Sequence, residues 1–292
     1  MEINLARTAG FCFGVRRAIK IALKEATKSS SVYMLGDIVH NEHVVRDINQ
    51  SGIKVVSEME HIPEGGTILL RAHGSRPDVY SDAGSHGLTI VDATCPMVVE
   101  IHDEAKILES QGYKIAIIGD HNHDEVLGIA GQIKSSIVFA TPREAREHKG
   151  YYKKLGVVVQ STQDIENVRT IVSELITKAS ELRFINTICK PTKDHQEEIR
   201  TMPTENDLMI IVGSFTSANT IRLTEIARGI NPRTHQVQSA SDIDPAWFEG
   251  VERVGVSAGA STPDYIIKEV VERIAEIGER LAVGTSRTVT AT

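Results

Sequence analysis

Three cysteines, Cys12, Cys95 and Cys189, are the residues of this chain whose spacing best suggests chemistry, and the sequence holds no others. Cys95 lies 83 residues after Cys12, and Cys189 lies 94 after Cys95. Each stands in a turn ahead of a helical pattern. Cys12 sits in Gly10-Phe11-Cys12-Phe13-Gly14, before Val15-Arg16-Arg17-Ala18. Cys95 follows Asp92-Ala93-Thr94 and precedes Pro96, a favoured first helical residue. Cys189 follows Asn186-Thr187-Ile188. A thiol so placed meets the positive end of the helix dipole, which lowers its pKa and favours anions.

A second feature keeps step with the cysteines. At an offset of 28 residues from each comes a polar loop, reaching His40, His123 and Ser217. These loops begin Gly36-Asp37, Gly119-Asp120 and Gly213-Ser214. A further polar loop closes each stretch: Arg71-Ala72-His73-Gly74-Ser75, Gln160-Ser161-Thr162 and Ser257-Ala258-Gly259-Ala260-Ser261. The pattern reads as three copies of one unit, each offering a cysteine turn and two polar loops.

Three converging thiolates suit zinc or an iron–sulfur cluster. In a four-iron cluster they leave one iron open to a substrate oxygen. Zinc needs a fourth ligand, such as His123. The loops add His40, His73, His123, Ser161, Thr162, Ser217, Asn219 and Ser261, mostly neutral donors at helix starts, which suit phosphate without a Gly-rich P-loop. Taken singly, each has a plainer explanation. A cysteine is a common core residue, Ser and Asn are common helix caps, and a histidine is more often structural than a ligand. Glu125 follows the middle histidine. Turned inward beside anionic groups, it has a raised pKa and donates protons near pH 7; turned outward, it complements a helix dipole. Asp37, Glu42 and Asp124 are given surface or supporting roles. His121-Asn122-His123 also resembles the metal pair of a hydrolase, but His195 and His235, the candidate partners, follow no clear strand end.

The elements that position these groups are an alternation of short apolar runs and amphipathic stretches. Val32–Leu35, Thr67–Leu70, Ile115–Ile118, Gly156–Val159, Leu208–Val212 and Val254–Val256 read as strands of parallel sheets covered on both faces. Helical spacing fills Val15–Lys28, Met97–Glu109, Asp164–Lys178, Ala218–Arg228 and Asp264–Leu281. The class is α/β, and ligands of such sheets gather at the carboxyl ends of the strands. Three units around a pseudo-threefold axis would bring the cysteines to the centre and the polar loops to a rim.

Composition narrows the function classes. A chain of 292 residues exceeds the usual single domain, and a net charge of −7 argues against non-specific nucleic-acid binding. No apolar run reaches the length of a membrane span, and the first residues lack the pattern of a secretory signal. A cytoplasmic setting and unpaired thiols are expected.

Together the motifs closely resemble the 4-hydroxy-3-methylbut-2-enyl diphosphate reductase family, from the last step of the methylerythritol phosphate route to isoprenoids. The resemblance rests on Gly10-Phe11-Cys12-x-Gly14-Val15, Val39-His40-Asn41, Ala72-His73-Gly74, Asp92-Ala93-Thr94-Cys95-Pro96, His123-x-Glu125-Val126-x-Gly128, Ser217-x-Asn219 and Ala258-Gly259-Ala260-Ser261-x-Pro263-Asp264. It implies three pseudo-symmetric α/β lobes around a central iron–sulfur cluster, with lobes at 13–94, 95–187 and 188–281. Residues 1–12 add a strand to the third lobe, and 282–292 form a disordered tail. It implies one [4Fe–4S] cluster per chain on Cys12, Cys95 and Cys189, and a diphosphate pocket of His40, His73, His123, Ser217, Asn219 and Ser261. Ser161, Thr162 and Ala218 are counted with them as substrate-binding residues. It makes Glu125 the proton donor, with Ser161 beside it. Electrons come from a ferredoxin or flavodoxin, since no strand-linked G-x-G-x-x-G is present. Rival readings are a redox-neutral hydro-lyase and a non-enzymatic metal sensor.

Three departures mark this sequence. Ser161 stands where the family usually has threonine. Ala218 replaces a common hydroxyl residue, so that one phosphate contact is either lost or made by the backbone alone. Lys190-Pro191-Thr192-Lys193-Asp194-His195-Gln196 replaces a more neutral run ending Asn-Arg-Gln. The glycines flanking Cys12 are expected to let the backbone pass close to an inorganic core.

Overall fold

The computed structural model describes residues 1–29 and 31–288. The chain opens with β1 (Glu2–Leu5) and α1 (Phe13–Lys28). It continues through β2 (Val32–Leu35), α2 (Glu42–Gln50), β3 (Lys54–Val56), β4 (Thr67–Leu70), α3 (Pro77–Ser85) and β5 (Thr89–Asp92). Next come α4 (Pro96–Ser110), β6 (Lys114–Ile118), α5 (Asp124–Gly131), β7 (Ser136–Phe139), α6 (Pro142–Glu147), β8 (Tyr152–Val159), α7 (Ile165–Leu175) and β9 (Ala179–Phe184). The last succession is α8 (Lys190–Glu205), β10 (Leu208–Val212), α9 (Ala218–Ile230), β11 (Thr234–Val237), β12 (Arg253–Ala258) and α10 (Asp264–Thr288).

Among the described residues three four-stranded sheets result, ordered β3-β2-β4-β5, β7-β6-β8-β9 and β11-β10-β12-β1. Every pairing is parallel. The third sheet takes its fourth strand from the other end of the sequence: Glu2 to Leu5 align with Arg253 to Val256. The order of strands is therefore the same three times, cyclically permuted in the chain. In each sheet the fourth strand leads to a cysteine, after which the next helix begins.

Alternation of side chains explains the layering. Leu208, Ile210 and Val212 of β10 share a core with Ile266, Val270, Ile274 and Ile277 of α10. Met209 and Ile211 turn the other way, onto Ile199 of α8 and Leu223 and Ala227 of α9. In the middle sheet Ile118, Val157 and Val159 meet Val168 and Ile171 of α7. Ile115, Ile117 and Val158 meet Ile101 and Leu108 of α4 and Val126 of α5. A strand covered on both faces has no polar side, and all five residues of β10 are buried.

The chain packs into two compact units. One comprises residues 1–12, 40–44 and the described residues from Lys190 on, and so contains the third sheet. The other comprises 13–39 and 45–189 and contains the first two sheets. The expectation of a disordered tail from residue 282 fails as far as Thr288, because α10 continues as helix to that residue; residues 289–292 lie outside the described residues. Among the described residues no helix is long and apolar enough to cross a membrane.

Candidate functional site

The three cysteines occupy equivalent places. None is in a disulfide, and each is half-buried. Cys95 is the N-cap residue of α4, while Cys12 and Cys189 immediately precede α1 and α8. Each main-chain N–H donates to the carbonyl two residues beyond the third strand of its sheet. Cys12 N bonds Ala260 O at 3.0 Å, Cys95 N bonds Ala72 O at 2.9 Å, and Cys189 N bonds Ser161 O at 3.1 Å. This shared bond aligns the third polar loops residue by residue: Ala72, Ser161 and Ala260 correspond, and so do His73, Thr162 and Ser261.

Two cysteine turns share another device. Asp92 and Asn186 each stand three residues before their cysteine. Asp92 Oδ1 accepts from Thr94 N at 2.8 Å, and Asn186 Oδ1 accepts from Ile188 N at 3.3 Å. Asp92 also accepts from Thr94 Oγ1 at 2.5 Å, and Arg17 Nη1 donates to Thr94 O at 3.0 Å. The equal offset of an Asx residue before Cys95 and Cys189 was the available sequence signal for this role. Ala9 holds the corresponding place before Cys12. There Gly10 makes the bend at φ +99, and a Cβ on it would lie 3.0 Å from Asp264 Oδ1 and 3.1 Å from Ile267 Cδ1. Gly10 is thus required by its own backbone angle and by α10.

In the unit that holds the first two sheets, Glu125 lies in the first turn of α5 and is only 2% exposed. Its Oε1 accepts from Ser161 N at 2.5 Å and its Oε2 from Ser161 Oγ at 2.7 Å. Glu125 is therefore turned inward. Ser161 faces two ways, because its carbonyl secures Cys189 while its N–H and hydroxyl secure the carboxylate. His123 caps α5, its Nδ1 accepting from Glu125 N at 3.1 Å. That acceptor role places the ring hydrogen of a neutral His123 on Nε2, where it is a donor. His73 lies edge-on to His123, with ring centroids 5.6 Å apart. Asp124 is paired with Arg71, a supporting contact. Gln160, overlooked in the sequence, accepts from Asp120 N at 2.9 Å and donates to Thr162 Oγ1 at 2.9 Å. His121 turns to Glu144, 2.9 Å away, so it does not make a metal pair with His123. His195 lies within α8 and His235 is stacked on Trp247, so neither completes a hydrolase site.

In the other unit, Asn41 shifts the repeat by one residue. Asn41 rather than His40 takes the cap position before α2, its Oδ1 accepting from His43 N at 3.0 Å and Val44 N at 3.3 Å. His123 and Ser217 are its counterparts at the starts of α5 and α9. His40 is half-buried, and its carbonyl accepts from Ser261 Oγ at 3.3 Å. Ser217 is the cap of α9, accepting from Thr220 N at 3.4 Å. Ala218 is the first residue of that helix. Asn219 departs from the capping explanation: it is 5% exposed, and neither its amide oxygen nor its amide nitrogen meets a hydrogen-bond partner. The hydroxyl of Thr220 beside it is likewise unpartnered. Glu42 accepts from Ser214 Oγ and Gln238 Nε2, each at 2.9 Å, and so orders the loop ahead of α9.

The sequence from residue 3 to 275 matches the family described as LytB protein. The 4-hydroxy-3-methylbut-2-enyl diphosphate reductase of Geobacter metallireducens is 42% identical over 277 residues, spanning 95% of this chain and 98% of that one. The enzyme of the same name from Geobacter sulfurreducens is 42% identical over 280 residues, spanning 96% and 99%. Among solved structures, an (E)-4-hydroxy-3-methyl-but-2-enyl diphosphate reductase superposes with a TM-score of 0.68 at 40% identity, over 94% of this chain and 100% of that one. An E-1-hydroxy-2-methyl-but-2-enyl-4-diphosphate reductase from Plasmodium falciparum superposes with a TM-score of 0.88 at 26% identity, over 93% and 87%. With the three repeated sheets and their cysteine turns, these matches establish that the chain belongs to the LytB family.

Proposed function

We propose that this chain reduces (E)-4-hydroxy-3-methylbut-2-enyl diphosphate to isopentenyl and dimethylallyl diphosphate. The observation that carries the reading is the buried Glu125–Ser161 pair, joined through the Ser161 carbonyl to the Cys189 turn. It ties the proposed proton donor and the main chain of a proposed cluster ligand to one residue. Family membership supports an iron–sulfur cofactor. The donor set suits a [4Fe–4S] cluster: three cysteines outside disulfides, each at a helix start and each secured by the same main-chain bond. Cys12, Cys95 and Cys189 would hold it, and it would supply single electrons and one iron without a protein ligand.

The remaining work falls to the chain. The unpartnered Asn219 amide and Thr220 hydroxyl support a polar ligand at the start of α9, where the helix dipole favours an anion. Ser217, the main chain at Ala218, His40 and Ser261 are proposed diphosphate contacts from that unit. His73, His123 through Nε2, and Thr162 are those of the other. Glu125 delivers protons with the Ser161 hydroxyl as the intervening group. Two electrons and two protons are consumed. The C4–O bond breaks and water leaves, and protonation at either end of the allylic unit gives one or the other product. The electrons require an external donor of ferredoxin or flavodoxin type, in a reducing cytoplasm that keeps the thiols unoxidised.

Anaerobic purification, assay of iron, sulfide and zinc, and substrate-dependent oxidation of a reduced viologen test the proposal. Zinc without sulfide supports a sensor, and turnover without reductant supports a hydro-lyase; either overturns it. Glu125→Gln keeps an acceptor for Ser161 N but loses the acid. It is expected to lower kcat by about 10²–10⁴-fold while substrate binding and iron content persist. Unchanged kcat would remove Glu125 from proton delivery.

A further inference from the structure

We propose that Glu198 is the positioning residue for Cys12, with α8 using it to hold the loop that carries this cysteine. The inference rests on Cys12 being a cluster ligand, but thiol labelling tests the anchor independently.

The Cys95 and Cys189 turns are built locally from Asp92 and Asn186. The Cys12 turn has no such residue, since Ala9 stands in that place. It is also longer, with residues 6–11 between β1 and Cys12. On one side it borders a cleft of about 520 Å³, lined by Leu5, Arg7, Ala9, Ile267, Lys268 and Val271. On that side Gly10 packs against Asp264 and Ile267 of α10, while the Arg7 side chain is turned outward. On the other side Glu198 supplies the missing acceptor. Its Oε1 accepts from Arg7 N at 2.8 Å, and its Oε2 from Thr8 N at 2.9 Å and Thr8 Oγ1 at 2.6 Å.

The Arg7 guanidinium adds little: it is 95% exposed and 3.7 Å from the carboxylate. The weight falls on the main-chain and hydroxyl bonds, which are of the charge-assisted kind. Burial alone would raise the Glu198 carboxyl. The bonds from Thr8 and Arg7, with the Arg7 charge, outweigh burial and hold it below its usual range. His195, three residues earlier on α8, also engages the Thr8 backbone. Cys12 is thus tied at its own N–H to Ala260 and, four and five residues earlier, to α8.

The test uses the full-length protein as purified anaerobically. It is challenged with an iron chelator in the presence of iodoacetamide, and the order of thiol labelling is read by peptide mass spectrometry. In Glu198→Ala, iron release is expected to be about tenfold faster, with Cys12 labelled before Cys95 and Cys189. Glu198→Gln, which keeps the shape and one acceptor oxygen, is expected to show the same selectivity at smaller size. Wild-type release, or acceleration with all three cysteines labelled together, overturns the proposal. If the wild-type protein carries no iron and sulfide, the functional reading fails instead. Faster labelling of Cys12 alone would then still establish the anchor, and equal labelling would remove it.

Discussion

Ser161 uses all its polar groups, and its two counterparts show which of those uses are general. Ala72 and Ala260 accept the cysteine N–H through their carbonyls just as Ser161 does, so that tie needs no particular side chain. The hydroxyl is needed only in the middle repeat, where Glu125 sits. Serine preserves the donor, and burial at 7% exposure restrains the rotation that a threonine methyl would have limited. Asn219 has the opposite standing, since its amide makes no bond within the chain. A buried amide without a partner costs roughly 1–3 kcal/mol, so folding gains nothing from keeping it. Asn219→Ala is therefore expected to leave the melting temperature unchanged or raised, while KM for the diphosphate substrate increases about tenfold or more. Calorimetry beside steady-state kinetics checks both. A large fall in stability with unchanged KM would make Asn219 a structural residue.

The helices do more than cover the sheets. Each of α1, α4 and α8 begins at a cysteine, and α4 also sets His102 against the loop at Gly74 and against α5 at Gly128. A Cβ on Gly74 would stand 2.8 Å from His102 Cε1, and one on Gly128 would stand 3.5 Å from its Nε2. Gly74 thus makes room for a buried imidazole, and Gly128 lies in ordinary contact with it. Burial, with the charge of Lys106, pushes His102 down to about 4, against the opposing pull of Asp103 and Asp92. The unfolded chain takes up a proton near the ordinary value of 6.5, which the folded chain refuses until about 4. Stability from this group is therefore fully present above pH 6.5 and lost progressively as pH falls to about 4. The loss is about 2 kcal/mol once solvent screening is allowed for. Denaturant titrations at pH 7, 5.5 and 4 should show a shallower decline for His102→Gln than for the parent. Parallel declines would assign the acid sensitivity elsewhere.

At the scale of the molecule, the repeat was legible because its central strands are continuous apolar runs and its cysteines keep similar distances. The short outer strands were harder to see. Lys54–Val56 has only three residues, and β9 is exposed at Ser180, Glu181 and Arg183, so neither shows an unbroken apolar signal. His123 and Ser217 cap helices as their spacing suggested, but the first cap fell on Asn41 and left His40 one residue ahead of it. Glu42 with Ser214 and Glu198 with Thr8 were not legible, because partners 172 and 190 residues apart leave no local pattern. The least local feature is the cyclic permutation that gives β1 to the third sheet. If that sheet is the same unit as the other two, its chain break between α10 and β1 is dispensable. A Cβ on Gly278 would lie 2.9 Å from Met1 Cε, so the first residue sits beside α10. From Gly278 to the helix end at Thr288 is about 15 Å at 1.5 Å per residue. An eight-residue Gly/Ser linker spans roughly 16 Å. A permutant joining Thr288 through that linker to Met1, and opened between the exposed Glu64 and Gly65, is expected to fold with stability within about 1 kcal/mol of the parent. Denaturant midpoints and iron content would show it. Loss of cooperative unfolding in the permutant would mean that the break before β1 is part of the fold.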